Sequence, residues 1–170
     1  SSTYQKKDKL FTIIIIGGSQ GAKIFDKLLH KSFVSIAKKV SIKIIHQTSE
    51  KNINFLKNFY SQNNIESRVF SFDHNLCEVL KQGDLCITRA GASSLAELSF
   101  LNIPFVAIPL PSSKDNHQYE NAKYYKEKDS CWIFDQKNFD EKKFEKFLLE
   151  LINKSQDYME KKNNLQKLNY

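Results

Sequence analysis

The stretch FTIIIIGGSQGA, residues 11–22, sets an apolar, largely β-branched run directly before a glycine-rich turn. The run 11–16 is typical of a strand that is buried on both faces of a parallel sheet. Beyond the turn, apolar residues recur at three- and four-residue spacing over 22–38, which predicts a helix. The stretch therefore predicts the strand, turn and helix that open a βαβ unit.

The same alternation continues along the chain. Further apolar runs at 42–46, 68–72, 85–88, 105–108 and 131–134 are followed by helical patterns at 50–63, 75–81, 93–100, 118–128 and 141–153. This order predicts an α/β fold, a Rossmann-like doubly wound parallel sheet of about six strands with right-handed crossovers. Residues 154–170 are polar with a weak apolar stripe at Tyr158, Leu165 and Leu168, which predicts a last helix that docks on another surface or frays.

Composition places the chain among ordinary globular domains. Its 170 residues, 41% hydrophobic and 26% charged, suffice for one core without disulfides or metal. No apolar run is long enough to cross a bilayer and residues 1–7 lack the apolar segment of a signal peptide, so we expect a cytoplasmic location. Cys77, Cys86 and Cys131 lie in apolar stretches and are predicted to be reduced core thiols rather than disulfide or zinc ligands.

The net charge of +7 raises the question of an anionic partner. The lysines are scattered, and in the densest stretches they alternate with acids, which predicts a solvated surface and no nucleic-acid site. A patch that faces anionic lipid is the alternative.

The loop after the first strand is the first candidate site, because ligands of open α/β sheets bind beyond the carboxyl ends of the strands. Its candidate residues are Gly18, Ser19, Gln20 and Gly21. Glycines let the backbone approach an anion, the amides at a helix start favour phosphate, and the Ser19 hydroxyl can donate one more bond. The pattern is neither G-x-G-x-x-G nor a P-loop, which counts against a dinucleotide oxidoreductase or an NTPase. The alternative is a tight turn with no ligand.

The loop after the fourth strand, RAGASSLAE at 89–97, repeats this arrangement. Its candidate residues are Arg89, Gly91, Ala92, Ser93, Ser94 and Glu97. The helix start again leaves backbone amides free, and the Glu97 carboxylate, one turn beyond Ser94, is placed to accept both hydroxyls of a ribose. The alternative is a capping box formed by Ser94 and Glu97.

Two further loops carry candidate residues. The loop after the fifth strand leads into a helix start whose polar groups, including His117, Gln118 and Asn121, suit sugar hydroxyls, with plain helix capping as the alternative. In the loop after the third strand, Phe72 can lie against a planar base beside Asp73, with core packing as the alternative.

The remaining histidines predict no further chemistry. His46 and His74 have no metal-spaced partner and are expected to support other residues or lie on the surface. We therefore predict no metal site, and no Ser-His-Asp or Cys-His arrangement can be argued.

Three ordered motifs, GGSQGA, RAGASSLAEL and PLPSSKDNHQYENA, resemble the C-terminal domain of the MurG family, the peptidoglycan GlcNAc transferases among the GT-B glycosyltransferases. The resemblance covers residues 11–153. It implies an inverting transfer of GlcNAc from UDP-GlcNAc to the 4-hydroxyl of the muramyl sugar of lipid I, undecaprenyl-pyrophosphoryl-MurNAc-pentapeptide, which gives lipid II. It also implies that the enzyme uses no cofactor or catalytic metal and acts as a peripheral protein at the cytoplasmic side of the inner membrane.

The resemblance also implies a part of the donor for most candidate residues. These are Ser19 for the diphosphate, Phe72 and the backbone of Asp73 for the uracil, Ala92, Ser93 and Ser94 for the nucleotide and diphosphate, Glu97 for the ribose, and His117, Gln118 and Asn121 for the GlcNAc. In this family an N-terminal domain supplies the acceptor site, the membrane-contacting patch and the general base. No catalytic residue is therefore expected in this chain.

The first residue is not methionine, and residues 1–10 have the composition of a linker end. We expect a donor-binding domain at 11–153 that belongs to a two-domain enzyme and is inactive alone, with 154–170 docking on the N-terminal domain. One alternative is a stand-alone donor subunit that pairs with a separate membrane acceptor subunit, as in the eukaryotic dolichol-linked GlcNAc transferase. The other is a non-catalytic nucleotide-sugar-binding module.

Overall fold

The computed structural model describes residues 10–17, 22–111 and 117–169, with backbone alone at 22–24. The strands are β1 (Phe11–Ile16), β2 (Ile42–Gln47), β3 (Glu66–Phe70), β4 (Leu85–Thr88), β5 (Phe105–Ala107) and β6 (Trp132–Ile133). The helices are α1 (Ala22–Ala37), α2 (Ile53–Gln62), α3 (Leu76–Leu80), α4 (Ala92–Phe100), α5 (His117–Glu127), α6 (Glu141–Ile152) and α7 (Gln156–Lys167). A 3-10 turn, Glu50–Asn52, precedes α2.

The strands form one sheet in the order β3-β2-β1-β4-β5-β6, and every pairing is parallel. This confirms the predicted α/β, Rossmann-like doubly wound sheet. The order reverses between β1 and β4, so the loops that follow these two strands leave toward opposite faces and open a crevice at the carboxyl edge.

β1 faces a different core on each side. Ile13 and Ile15 belong to a cluster with side chains of α1, α2 and α6, whereas Ile14 belongs to a second cluster with α3, α4 and α5. Because successive side chains of a strand point to opposite faces, an unbroken run of isoleucines serves both layers.

β3 begins and ends two residues before the predicted run 68–72. Its pairing with β2 stops at Phe70, where the Thr48 amide donates to the Phe70 carbonyl at 2.9 Å. Phe72 therefore lies beyond the sheet and is 70% exposed. The shift arises because the partner strand, and not the apolar pattern alone, determines where β3 ends.

The cysteines are free thiols, but one of the three predictions was wrong. Cys86 and Cys131 are buried, and burial raises the pKa of the Cys131 thiol to about 12. Cys77 is exposed, because the five-residue helix α3 buries only Val79 and Leu80.

Within the described part of the chain, no helix is long and apolar enough to cross a membrane.

The last helix, α7, docks on this domain itself. Tyr158 packs in the first cluster and its hydroxyl donates to the Asp84 carbonyl at 2.7 Å, while Leu165 lies in the second cluster with no exposed surface. The alternative that this segment frays is excluded for these residues. That α7 also contacts an N-terminal domain stays a prediction.

We expect Leu165→Ala to lower the free energy of unfolding by about 2–4 kcal/mol, because it opens a cavity in the second cluster. Met159→Ala on the same helix is the control, since Met159 is 44% exposed and its truncation should change the free energy by less than about 1 kcal/mol. Urea denaturation measures both. Equal, small effects would show that α7 is not part of the cooperative fold.

Candidate functional site

The crevice between β1 and β4 is only partly described on the β1 side. Gly18, Ser19, Gln20 and Gly21 lie outside the described residues, so the predicted diphosphate loop stays a prediction. Gly17, the residue after β1, is described, and a Cβ added there would lie 3.0 Å from the Phe25 ring. Gly17 therefore packs closely against the first turn of α1.

The start of α4 presents unbonded backbone amides to the crevice. The N-cap residue is Gly91, in extended conformation with φ −62° and ψ 138°, and it has no side chain to cap the helix. Among the described residues, the amides of Ala92, Ser93 and Ser94 have no acceptor. The capping-box alternative is wrong, because Ser94 lies inside the helix and is not its N-cap. The local positive potential and free donors suit an anion.

Glu97 lies one turn into α4, on the same side as Ser94, and both are half-buried. Within the described ranges, the Glu97 carboxylate makes no hydrogen bond or ion pair with another side chain. A half-buried carboxylate without a protein partner retains its full acceptor capacity for a ligand.

Gln118 and Asn121 fasten the start of α5 to the loop after β4. The Gln118 Oε1 atom accepts from the amides of Ala90 at 3.1 Å and Leu110 at 2.8 Å, and Asn121 Nδ2 donates to the Ala90 carbonyl at 3.0 Å. This bracing role was not predicted from the sequence. His117 is the exposed first residue of α5.

Arg89 supports the crevice from within the protein. Its side chain is 7% exposed, its Nη1 donates to the Ile108 carbonyl at 3.2 Å, and its guanidinium lies 4.6 Å from the centre of the Phe25 ring. Desolvation lowers the pKa of Arg89, and the nearby Asp26 charge opposes this shift. Arg89 Nε is buried without a partner among the described residues. The predicted binding residue is thus a buried cation behind the crevice.

Phe72 and Asp73 lie at the outer side of the same sheet edge. The exposed Phe72 ring lies against His74 in a T-shaped arrangement with ring centroids 4.9 Å apart, and it belongs to no core cluster of the described residues, so the core-packing alternative is wrong. The Asp73 carboxylate accepts from the Asn75 amide at 2.7 Å and from Arg68, and these bonds hold the pKa of Asp73 below its usual value. The contact of the Asp73 backbone with a uracil stays a prediction.

A buried carboxylate, Asp26, was missed by the sequence analysis. It is 1% exposed and bonds to His46, which the sequence analysis had placed only as a supporting or surface residue. The signal in the sequence was an acid inside the apolar stripe of α1, between Phe25 and Leu29.

A cavity of about 280 Å³ adjoins the site at the carboxyl ends of β5 and β6. Pro109, Leu110, Tyr119 and Phe134 contribute to its walls. Its lining includes Tyr119 in the first turn of α5.

These features define an α/β domain of the doubly wound class, with the open start of α4 at the switch point of its sheet. The chain belongs to the glycosyltransferase family 28 C-terminal domain family, whose model matches residues 12–169.

Curated relatives agree with this assignment. The UDP-N-acetylglucosamine--N-acetylmuramyl-(pentapeptide) pyrophosphoryl-undecaprenol N-acetylglucosamine transferase of Pelagibacter ubique is 43% identical over 167 residues, covering 98% of this chain and 47% of the relative. The transferase of the same name from Rickettsia massiliae is 41% identical over 150 residues, covering 86% of this chain and 40% of the relative. The chain spans less than half the length of these relatives.

Solved structures share the fold. The crystal structure of Acinetobacter baumannii MurG matches with a TM-score of 0.78 and 24% identity, over 98% of this chain and 50% of that one. The spinosyn rhamnosyltransferase SpnG complexed with thymidine diphosphate matches with a TM-score of 0.70 and 13% identity, over 95% of this chain and 42% of that one.

We expect Gln118→Leu to lower the free energy of unfolding by about 1–3 kcal/mol, because it leaves the Ala90 and Leu110 amides without an acceptor. Gln118→Glu is the matched variant, since it keeps an oxygen at Oε1 and should retain most of the stability. Urea denaturation of both variants measures the difference. An equal loss in the two variants would show that these two hydrogen bonds do not brace the loop.

Proposed function

We propose that this chain is the donor-binding domain of an inverting glycosyltransferase that transfers GlcNAc from UDP-GlcNAc to lipid I and so makes lipid II. The observation that carries the proposal is the open start of α4 at Gly91, with the Glu97 carboxylate, which has no partner among the described residues, one turn further on. Relatives named as transferases of N-acetylglucosamine to a pyrophosphoryl-undecaprenol acceptor support the choice of sugar and acceptor.

In this proposal the donor lies across the carboxyl edge of the sheet. Its diphosphate contacts the starts of α1 and α4, its ribose hydroxyls donate to Glu97, and its uracil lies at Phe72. The GlcNAc extends toward His117, Gln118 and Asn121 at the start of α5. The donor thus contacts the segments that follow β1, β3, β4 and β5.

The contribution of this chain to the reaction is electrostatic. As the bond from the sugar to the diphosphate breaks, negative charge develops on the departing UDP. The amides at the helix starts, with the buried Arg89 cation behind them, stabilise that charge in a preorganised way. The acceptor, the general base and the contact with the cytoplasmic side of the inner membrane belong in this proposal to an N-terminal domain, so this chain binds donor without turnover.

We expect UDP and UDP-GlcNAc to raise the melting temperature of the chain in proportion to the logarithm of their concentration, because they bind the folded state alone. ADP and NADH should have no effect at the same concentrations. Differential scanning fluorimetry makes the comparison. Equal stabilisation by ADP would refute the uridine assignment.

We expect Glu97→Ala to weaken UDP binding about 10- to 100-fold, because the ribose hydroxyls lose a charged acceptor. Glu150→Ala is the matched control, since Glu150 is an exposed carboxylate at the carboxyl end of α6, which packs on the opposite face of the sheet from α4. Isothermal titration calorimetry measures both affinities. If Glu97→Ala binds UDP as well as Glu150→Ala does, the ribose is held elsewhere.

A further inference from the structure

A buried polar network lies beneath the carboxyl edge of the sheet, with Asp26 at its centre. Asp26 Oδ1 lies 2.5 Å from His46 Nε2, and Oδ2 accepts from Thr48 Oγ1 at 2.7 Å and from Asn52 Nδ2 at 2.5 Å. The other ring nitrogen, His46 Nδ1, lies 2.6 Å from the Tyr60 hydroxyl. All five side chains are at least nine-tenths buried.

The proton positions in this network follow from its chemistry. Burial and the Asp26 charge raise the pKa of Tyr60 well above its usual value, so the hydroxyl keeps its proton. That hydroxyl therefore donates to His46 Nδ1, and His46 donates its Nε2 proton to Asp26. Three donors, on His46, Thr48 and Asn52, fix the orientation of the Asp26 carboxylate, and both of its oxygens accept hydrogen bonds.

The network joins three elements of the fold. Asp26 is on α1, His46 is on β2, and Tyr60 is on α2, while Thr48 and Asn52 lie between the last two. Burial of a carboxylate carries a desolvation cost that an aliphatic side chain in the same apolar stripe would avoid. The distinct property of Asp26 is therefore geometric, since it fixes α1 against β2 in one position.

The position of α1 affects the candidate site through Phe25, the residue next to Asp26. The ring of Phe25 lies against Gly17 at the end of β1 and beneath the Arg89 guanidinium. The Asp26 charge also favours the charged form of Arg89. A displacement of the first turn of α1 would move both Gly17 and Arg89.

We propose that Asp26 is a positioning residue for the diphosphate of the donor, acting through the first turn of α1, Phe25 and Arg89. This inference rests on the proposed function. It assigns to Asp26 an effect on the phosphates and none on the nucleoside, because the proposed contacts to uracil and ribose come from Phe72 and Glu97.

The test compares the affinities of UMP and UDP, which differ by one phosphate, by calorimetry on the 170-residue chain. In Asp26→Ala we expect the ratio of the UMP to the UDP dissociation constant to fall about tenfold, because UDP loses the contacts of one more phosphate than UMP does. Asp26→Asn keeps the shape and can bond to His46 and Thr48, so it should restore the ratio to within about twofold of the parent chain.

Two further variants separate positioning from stability. Tyr158→Phe removes a hydrogen bond on another element and should lower the melting temperature without altering the ratio. Thr48→Val removes one donor to Asp26 at nearly constant volume. This variant replaces Asp26→Ala in the test if Asp26→Ala does not fold. We expect Thr48→Val to lower the ratio of the two dissociation constants about threefold.

An unchanged ratio in folded Asp26→Ala, or in Thr48→Val where Asp26→Ala is unfolded, would overturn the inference. Failure of Asp26→Asn to improve on folded Asp26→Ala would overturn it as well. If the parent chain binds neither UMP nor UDP, the proposed function fails and this inference fails with it. Binding of UDP with an unchanged ratio leaves the proposed function intact and removes only the role of Asp26.

Discussion

The fold depends on one strand that is buried on both faces. β1 pairs with β2 on one side and β4 on the other, and Ile13, Ile14 and Ile15 are each at most 1% exposed. Each isoleucine removes apolar surface from water in one of two separate clusters, so the layers cannot form independently of this strand. The crevice lies at the carboxyl end of this strand. The packing of β1 in the core therefore also determines the geometry of the site.

The sequence predicts the central strands well and the peripheral ones less well. The bounds of β1 and β4 agree with the apolar runs, because both strands are enclosed on both faces and all their residues except Thr12 and Thr88 are apolar. β3 lies at an edge with a polar, partly exposed pattern, so its register depends on β2 and on the Thr48 amide. An edge strand carries too little periodicity of its own to fix its ends.

The candidate site shows a similar division. The open start of α4 could be predicted, since glycine before a helix leaves its amides free. The bonds of Gln118 to Ala90 and Leu110 could not, because they join loops whose distance the sequence does not encode. Asp26 was visible as an acid on an apolar stripe, but its partners on β2 and α2 became known only from the structure.

Gly91 at the start of α4 has one more consequence. A serine or aspartate there would complete the helix from within the chain, and the same donors would then be withheld from any anion. With glycine, the amides in the first turn of α4 gain acceptors only when an anion binds there. The occupied and empty domains therefore differ in local stability at α4, and thermodynamic linkage makes the helix itself a reporter of occupancy.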